Sequence, residues 1–372
     1  MKILHLITTL GAGGAENHLF LLAREQRRQG HQVQVAYFRA SGNLREAFEQ
    51  VGIPVHSLEG SRYLSLKALY RLARLLSRYH PEILHTHLFS GDLYGAILGK
   101  MWKIHGIIST KHNQDQYLKT MGIKQLAKWV SILDHQVIAI SDAVKQFTIA
   151  QLNYPPHQAL KKFTRIYYGV DLEELDNTHR IPFSREAFGI PPNALILGTI
   201  GRLTEQKGYP YLIDAFAQLR QEFPWIYLIA LGRGDQEQKI REEIQNKGLN
   251  ESFLLLGYHS ERSKVLGYLE AMDIFVLPSL WEGFGLVLAE AMALRKPIVA
   301  STAGSIPEVV TEDCGYLVPP KDVESLRASL QKLIQNPEQR VQMGNSGRRR
   351  VEQFFSVKAM VEQTERLYRH YL

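Results

Sequence analysis

Cysteine is almost missing from this chain. Its one thiol, Cys314 in 372 residues, cannot close an internal disulfide. No cluster of cysteine and histidine has zinc spacing, so a reducing compartment without structural metal is expected, which points to the cytoplasm. Long apolar runs are missing too. Lys100, Lys103 and His105 interrupt the longest candidate, and no window reaches the roughly 20 uncharged residues of a membrane span. The apolar start Lys2-Ile3-Leu4-His5-Leu6-Ile7 runs into Gly11-Ala12-Gly13-Gly14 too soon for a signal-peptide core, and without a cleavage pattern. It reads as a first buried strand. No complete G-x-G-x-x-G is followed by a placed acidic residue, which removes the main warrant for dinucleotide binding and hydride chemistry. No Asp-x-Asp stands in a loop suited to a divalent metal. Low-complexity tracts, internal repeats and recognised nucleic-acid-binding modules are also lacking, so nucleic acid is not an expected partner.

What remains is an ordinary globular composition, 45% hydrophobic and 22% charged. A chain of this length exceeds what one core usually supports, and two domains are expected. The charge is uneven. Residues 1–170 hold 21 Lys and Arg against 10 Asp and Glu, or +11, while the whole chain is +7, which leaves −4 for the rest. Two segments of the basic half, Lys67–Arg78 and Lys119–Trp129, have the pattern of basic amphipathic helices. They make an anionic membrane surface a candidate partner, with a peripheral position at the inner face of the plasma membrane.

Short aliphatic runs alternate with amphipathic stretches through the first half: Ile3–Thr8, Asn17–Gln29, Val33–Phe38, Leu44–Gln50, Leu66–Arg78, Ile83–His85 and Asp92–Lys103. This alternation predicts a parallel sheet with helices on both faces. The second half restarts it with Leu195–Ile200, Tyr209–Glu222, Ile226–Leu231, Gln236–Lys247, Phe253–Leu256, Ile274–Leu277 and Pro297–Ala300. The expected architecture is α/β, two Rossmann-like doubly wound domains at 1–171 and 193–356. A linker at 172–192 is marked by Asp171, Pro182, Pro191 and Pro192. Ligands of such sheets sit beyond the carboxyl ends of the strands, where both halves place glycine-rich turns, and the two rims are expected to face each other across a cleft.

Two strings carry chemistry. In Gly201-Arg202-Leu203-Thr204-Glu205-Gln206-Lys207-Gly208, directly after a buried strand, a guanidinium fork and an ammonium stand five positions apart, suited to a diphosphate. In Trp281-Glu282-Gly283-Phe284-Gly285-Leu286-Val287-Leu288-Ala289-Glu290-Ala291-Met292, a loop carboxylate and a glycine turn precede a helix start near Gly285. The unpaired N–H groups and partial positive charge of that start suit a phosphate oxygen. Glu282 and Glu290, eight positions apart, each offer two acceptor oxygens that a diol can chelate. The plainer reading is a glycine turn with two solvated glutamates.

The order G-R-L-x-x-x-K-G, L-G-x-G, E-G-F-G-L-x-x-x-E-A-M-A over residues 195–310, with its E-x7-E spacing, resembles the donor half of the retaining family 4 glycosyltransferases of GT-B architecture. The resemblance implies that Arg202 and Lys207 bind the two phosphates of a nucleotide-sugar donor. It implies further that Glu282 holds the sugar hydroxyls, that the backbone at Phe284, Gly285 and Leu286 meets sugar and phosphate, and that Glu290 meets the ribose. Gly232 lies in the L-G-x-G turn, and Tyr258 in Leu256-Gly257-Tyr258 matches the place where the family's backbone reads the base. Nothing here chooses a UDP-sugar over a GDP-sugar.

In the first half, Gly13-Gly14-Ala15-Glu16 matches the family's G-G-x-E loop, which lies against the donor phosphates and the acceptor. Ser109-Thr110-Lys111-His112 resembles its T-x-H position, whose histidine lies near the reacting sugar; Asp115 and His87 are further candidates on that side. Where the family commonly has N-G-V-D, this chain reads Tyr168-Gly169-Val170-Asp171. The closing helix at 357–372 is expected to return to the N-terminal domain. The implied chemistry is transfer of a hexosyl group to a glycan, glycolipid or small-molecule hydroxyl with retention of configuration. The leaving phosphate takes the acceptor's proton, and no cofactor or metal ion takes part. Cell-envelope polysaccharide or glycolipid synthesis is the expected setting. The competing readings are a GT-B nucleotide-sugar epimerase and a non-catalytic sugar-nucleotide-binding protein.

Overall fold

The computed structural model describes residues 1–11, 13–39, 44–60, 65–115, 118 and 120–372, so Ala12 and Lys119 lie outside the described residues. They divide into two compact units, Met1–Gly169 with Ser356–Leu372, and Val170–Phe355.

The first unit is built on seven strands: β1 (Lys2–Ile7), β2 (Gln32–Tyr37), β3 (Val55–Ser57), β4 (Ile83–His87), β5 (Gly106–Lys111), β6 (Gln136–Ala139) and β7 (Phe163–Arg165). All pair in parallel, in the order β3-β2-β1-β4-β5-β6-β7. The inner strand β1 places aliphatic side chains on both faces, as a strand covered by helices on two sides must. Ile3 and Ile7 join Leu19, Leu22, Val361 and Tyr368 in one layer. Leu4 and Leu6 join Leu72, Leu76 and Leu98 in the other. His5 falls between Ile3 and Ile7 on the first layer, where a buried aliphatic side chain would contribute about 1.5–3 kcal/mol. An imidazole is tolerable there only with its nitrogens hydrogen-bonded.

The second unit holds β8 (Leu195–Ile200), β9 (Ile226–Leu231), β10 (Phe253–Gly257), β11 (Ile274–Leu277), β12 (Ile298–Ser301) and β13 (Gly315–Val318). This sheet is also parallel, ordered β10-β9-β8-β11-β12-β13. Residues 172–192, read from the sequence as a linker, lie within this unit. Leu172–Asn177 is a short helix capped by Asp171, Leu175 is fully buried, and Gly267 packs so closely on the Ile181 carbonyl that a Cβ would collide with it. The prolines interrupt periodicity without releasing the chain, because these residues cover part of the core.

The chain leaves the second unit at Phe355, and Ser356 caps the helix Val357–Arg369, its Oγ accepting from the Ala359 N–H at 3.2 Å. That helix buries Val357, Met360, Val361 and Tyr368 in the first unit. No helix of the described residues is long and apolar enough to cross a membrane. Strand order reverses between β1 and β4 in one sheet and between β8 and β11 in the other, which is where doubly wound sheets open a crevice.

Candidate functional site

At the reversal in the second unit, the loops after β8, β9 and β11 close on one another through glycine. Gly208 sits at φ +66° and Gly232 at φ +149°. A Cβ on the first would collide with the Pro278 carbonyl, and on the second with that of Gly201. Only glycine meets both the angle and the approach. Gln206, which sequence reasoning passed over, ties the loops together. It is buried, its carbonyl accepts from the Leu280 N–H at 2.7 Å, and its Nε2 donates to the Trp281 carbonyl at 2.9 Å. Its Oε1 accepts from Arg202 Nη2 at 3.0 Å.

This stitching brings Lys207 and Glu282 together, with Nζ 2.5 Å from Oε2. Ser279 Oγ, itself buried, donates to the same carboxylate oxygen at 3.4 Å. Gly285, at φ +77°, is the N-cap of the helix Leu286–Ala293 and supplies no side-chain cap. The Leu288 N–H is taken by the Gly285 carbonyl at 2.8 Å, while Gly285 offers no side-chain cap to the N–H groups of Leu286 and Val287, which carry the positive end of the helix dipole. The Phe284 side chain is committed to the core, edge-on to Phe355 at 5.5 Å.

Two expected donor residues stand in other company. Glu290 accepts from Arg262 Nη2 at 2.7 Å, and Arg262 Nε also reaches Glu174 at 3.5 Å. Burial opposes the Arg262 charge, but the two carboxylates hold its pKa above the usual value. Tyr258, 40% exposed, follows β10 and lies under the Arg233 guanidinium, 4.8 Å from the ring centre. The Gly232 N–H donates to the Gly257 carbonyl at 2.8 Å, joining that turn to the others.

In the first unit, Gly13 is the N-cap of the helix Gly14–Arg28, again without a side-chain cap. Glu16 turns back over the preceding loop and accepts from Thr9 Oγ1 at 2.8 Å. His112, just beyond β5, has both ring nitrogens bonded within the unit: Nδ1 lies 2.5 Å from the Tyr168 hydroxyl and Nε2 3.0 Å from His87 Nδ1. His18 stacks on Tyr168 at 4.4 Å and meets His112 edge-on at 5.4 Å. A Cβ at Gly14 would lie 3.9 Å from the same Tyr168 ring. Asp115 accepts the Leu118 N–H on its carbonyl at 3.0 Å. Glu16, Gly14, His112 and Tyr168 thus gather at one end of the sheet.

Beneath them lie histidines of which the sequence reading singled out only His87. His5 pairs in register with His85, and His87 is two residues further along β4. His5 Nδ1 is 3.2 Å from His87 Nε2, and His5 Nε2 is 2.8 Å from Gln26 Oε1. His85 Nδ1 lies 2.5 Å from the Tyr368 hydroxyl and its Nε2 lies 2.6 Å from Thr110 Oγ1. Burial lowers the pKa of His5 to about 4 and of His18 to about 3, in the latter with the neighbouring His5 adding to the effect. It holds His85, His87 and His112 well below the usual imidazole value, with neighbouring histidines adding to the effect. All five are neutral at pH 7. His5, His85 and His87 offer nitrogens within 4.8 Å of one another, a spacing a metal ion could use, but each of those six nitrogens already has a hydrogen-bond partner. Alongside, Lys111 Nζ contacts Asp92 at 2.5 Å, while burial raises Asp134 to about 7. The available signal for the cluster was His85-Thr86-His87 on a strand, since spacing by two places both rings on one face.

Residues 12–174 match the family model "Glycosyltransferase Family 4" and residues 180–350 match "Glycosyl transferases group 1". The UDP-Gal:alpha-D-GlcNAc-diphosphoundecaprenol alpha-1,3-galactosyltransferase of Escherichia coli is 26% identical over 82% of this chain and 79% of its own length. The phosphatidyl-myo-inositol mannosyltransferase of Mycobacterium leprae is 27% identical over 87% and 84%. Among solved structures, HepE of Anabaena in complex with UDP superposes with a TM-score of 0.84 at 23% identity, covering 99% of both chains.

Proposed function

The chain belongs to the group 1 glycosyltransferases of the family 4 type, two parallel-sheet α/β domains of the GT-B class, and we propose that it is a retaining hexosyltransferase working without a metal ion. In this reading it moves a sugar from a UDP- or GDP-sugar to a hydroxyl of a lipid-linked or polysaccharide precursor of the cell envelope. The carrying observation is the Lys207–Glu282 pair at 2.5 Å, set beside Arg202 and the helix that starts at Leu286.

As the bond from the sugar's anomeric carbon to the diphosphate oxygen breaks, negative charge grows on that oxygen. Arg202, Lys207 and the leading N–H groups of the helix, those of Leu286 and Val287, are fixed donors for it, which favours the transition state over the ground state. The acceptor oxygen bonds to the same face of the anomeric carbon, and its proton passes to the departing phosphate. Glu282 holds sugar hydroxyls and Glu290 the ribose; Gly13, Gly14, Glu16, His112 and Asp115 serve the acceptor side. The names of the Escherichia coli and Mycobacterium leprae relatives, a diphosphoundecaprenol and a phosphatidylinositol enzyme, support a lipid-borne acceptor. An anionic bilayer surface is the matching partner, contacted by the exposed basic and apolar faces of the helices Leu66–Tyr79 and Met121–Leu133.

Screening UDP- and GDP-sugars for thermal stabilisation identifies the donor, because a ligand bound only by the folded state raises its stability. With that donor, activity persists in EDTA, and Lys207→Ala lowers kcat/KM by about 3 kcal/mol, the scale of losing an oxyanion donor. Wild-type kcat/KM in the Lys207→Ala enzyme ends the assignment. Conversion of donor alone to its epimer would instead mark an epimerase.

A further inference from the structure

The imidazoles of the first unit form a continuous chain with one defined direction. Gln26 Oε1 can only accept, so His5 Nε2, 2.8 Å away, carries a proton. A neutral His5 then accepts at Nδ1, where His87 Nε2–H donates at 3.2 Å. His87 accepts in turn at Nδ1 from His112 Nε2–H at 3.0 Å. His112 is left with an accepting Nδ1, and the Tyr168 hydroxyl donates to it at 2.5 Å. Each ring must be neutral for this order to hold, and burial without a carboxylate partner for any of these rings keeps them so.

We infer that this buried relay, Tyr168–His112–His87–His5–Gln26, fixes His112 as its Nε2–H tautomer in one orientation and makes Tyr168 a positioning residue of the acceptor-side site. The inference deepens the proposed function and rests on it for the role of His112. Both nitrogens of His112 are committed, so its ring is held by the protein on two sides. The Tyr168 ring stacks on His18 at 4.4 Å and stands where a Cβ at Gly14 would meet it, so the same side chain sets the histidine and borders the start of the glycine loop. This is also the position at which the chain carries Tyr in place of the Asn of N-G-V-D. Swapping a short amide for a phenol extends the reach of that position to His112.

Two-bond 15N–1H correlation of histidine-labelled protein at pH 7.5 tests the relay directly. The His112 signal is assigned by its loss in His112→Asn. The expected pattern is protonated Nε2 and bare Nδ1. Gln26→Met, a near-isosteric change at the far end, should turn His112 into a tautomer mixture, which no local packing role of Tyr168 would do. Tyr168→Phe removes the hydroxyl alone and should lower kcat about tenfold, the value of one hydrogen bond of about 1.4 kcal/mol, with the donor KM changed less than twofold. A bare Nε2 in the wild type, unchanged kcat in Tyr168→Phe, or a stoichiometric metal ion bound by His5, His85 and His87 each overturns the inference. The tautomer is read without turnover, so failure of the relay and failure of the transferase assignment are separate results.

Discussion

Lys207 is an ammonium held among largely buried loops, where its charge is met by Glu282, the side chains being 12% and 11% exposed. Removing one partner of such a pair leaves a poorly solvated charge, a loss on the order of 3–5 kcal/mol. Glu282→Ala is therefore expected to unfold at lower urea concentration than wild type. A donor diphosphate supplies the missing anion, so UDP or GDP should raise the melting temperature of Glu282→Ala by more than it raises that of the wild type. Equal increments would mean that Lys207 does not meet the diphosphate. The gathering of Arg202, Lys207 and Glu282 around one set of loops was legible in sequence because each lies in a short glycine-bearing string after a strand. Arg262 was not, because its partners Glu290 and Glu174 lie 28 residues ahead of it and 88 behind it in the numbering and meet it only when the second unit folds. The same holds for Tyr168, which stood out in sequence only as a departure from a pattern. Its bond to His112 spans 56 residues.

At the scale of elements, periodicity located most of the strands and helices, since strands buried on both faces read as aliphatic runs and helices as amphipathic ones. Leu44–Gln50, Leu195–Ile200, Tyr209–Glu222, Ile226–Leu231 and Ile274–Leu277 fall where the pattern placed them. The three-residue strands β3 and β7 carry too few side chains to show a period, and Val55-His56-Ser57 has a single apolar residue. The helix Met121–Leu133 shows amphipathicity of an unusual kind, since its apolar stripe faces outward. Met121, Trp129 and Ile132 are 76%, 49% and 58% exposed and lie on one side, with Lys124 and Lys128 flanking them. A stripe of this composition suits the boundary between headgroups and acyl chains of an anionic leaflet. Sedimentation with vesicles containing phosphatidylglycerol should carry down the wild-type protein. A Trp129→Glu, Ile132→Glu double variant should bind at least about tenfold more weakly, since it forfeits the burial of two large side chains. Equal sedimentation of the two proteins would remove this helix from any bilayer contact.

For the whole molecule, the uneven distribution of histidine is the property with the largest thermodynamic consequence. Of the 14 histidines, only His179 and His259 belong to the second unit. Five of the others, His5, His18, His85, His87 and His112, are held neutral mainly by burial. Their folded pKa values lie below the unfolded one, near 6.5. As pH falls below that value the unfolded chain takes up protons that the folded chain refuses, so stability that is complete above pH 6.5 is lost on the way down to pH 4. The slope is about 1.4 kcal/mol per pH unit for each such group, and His5 alone, with a folded pKa of about 4, accounts for about 3 kcal/mol across the window. Asp134 works against this trend. Burial raises it to about 7, so the folded state binds its proton first and gains stability as pH drops from 7 toward 4, offsetting about one histidine of the five. Each unit carries its own reporters, Trp102 and Trp129 in the first and Trp225 and Trp281 in the second. Urea unfolding of two variants, one retaining only Trp102 and one only Trp225, should show the first unit's midpoint falling steeply below pH 6.5 while the second unit's stays nearly level. Parallel shifts would mean that the histidines of the first unit are already protonated in the fold, and the neutral relay could not exist.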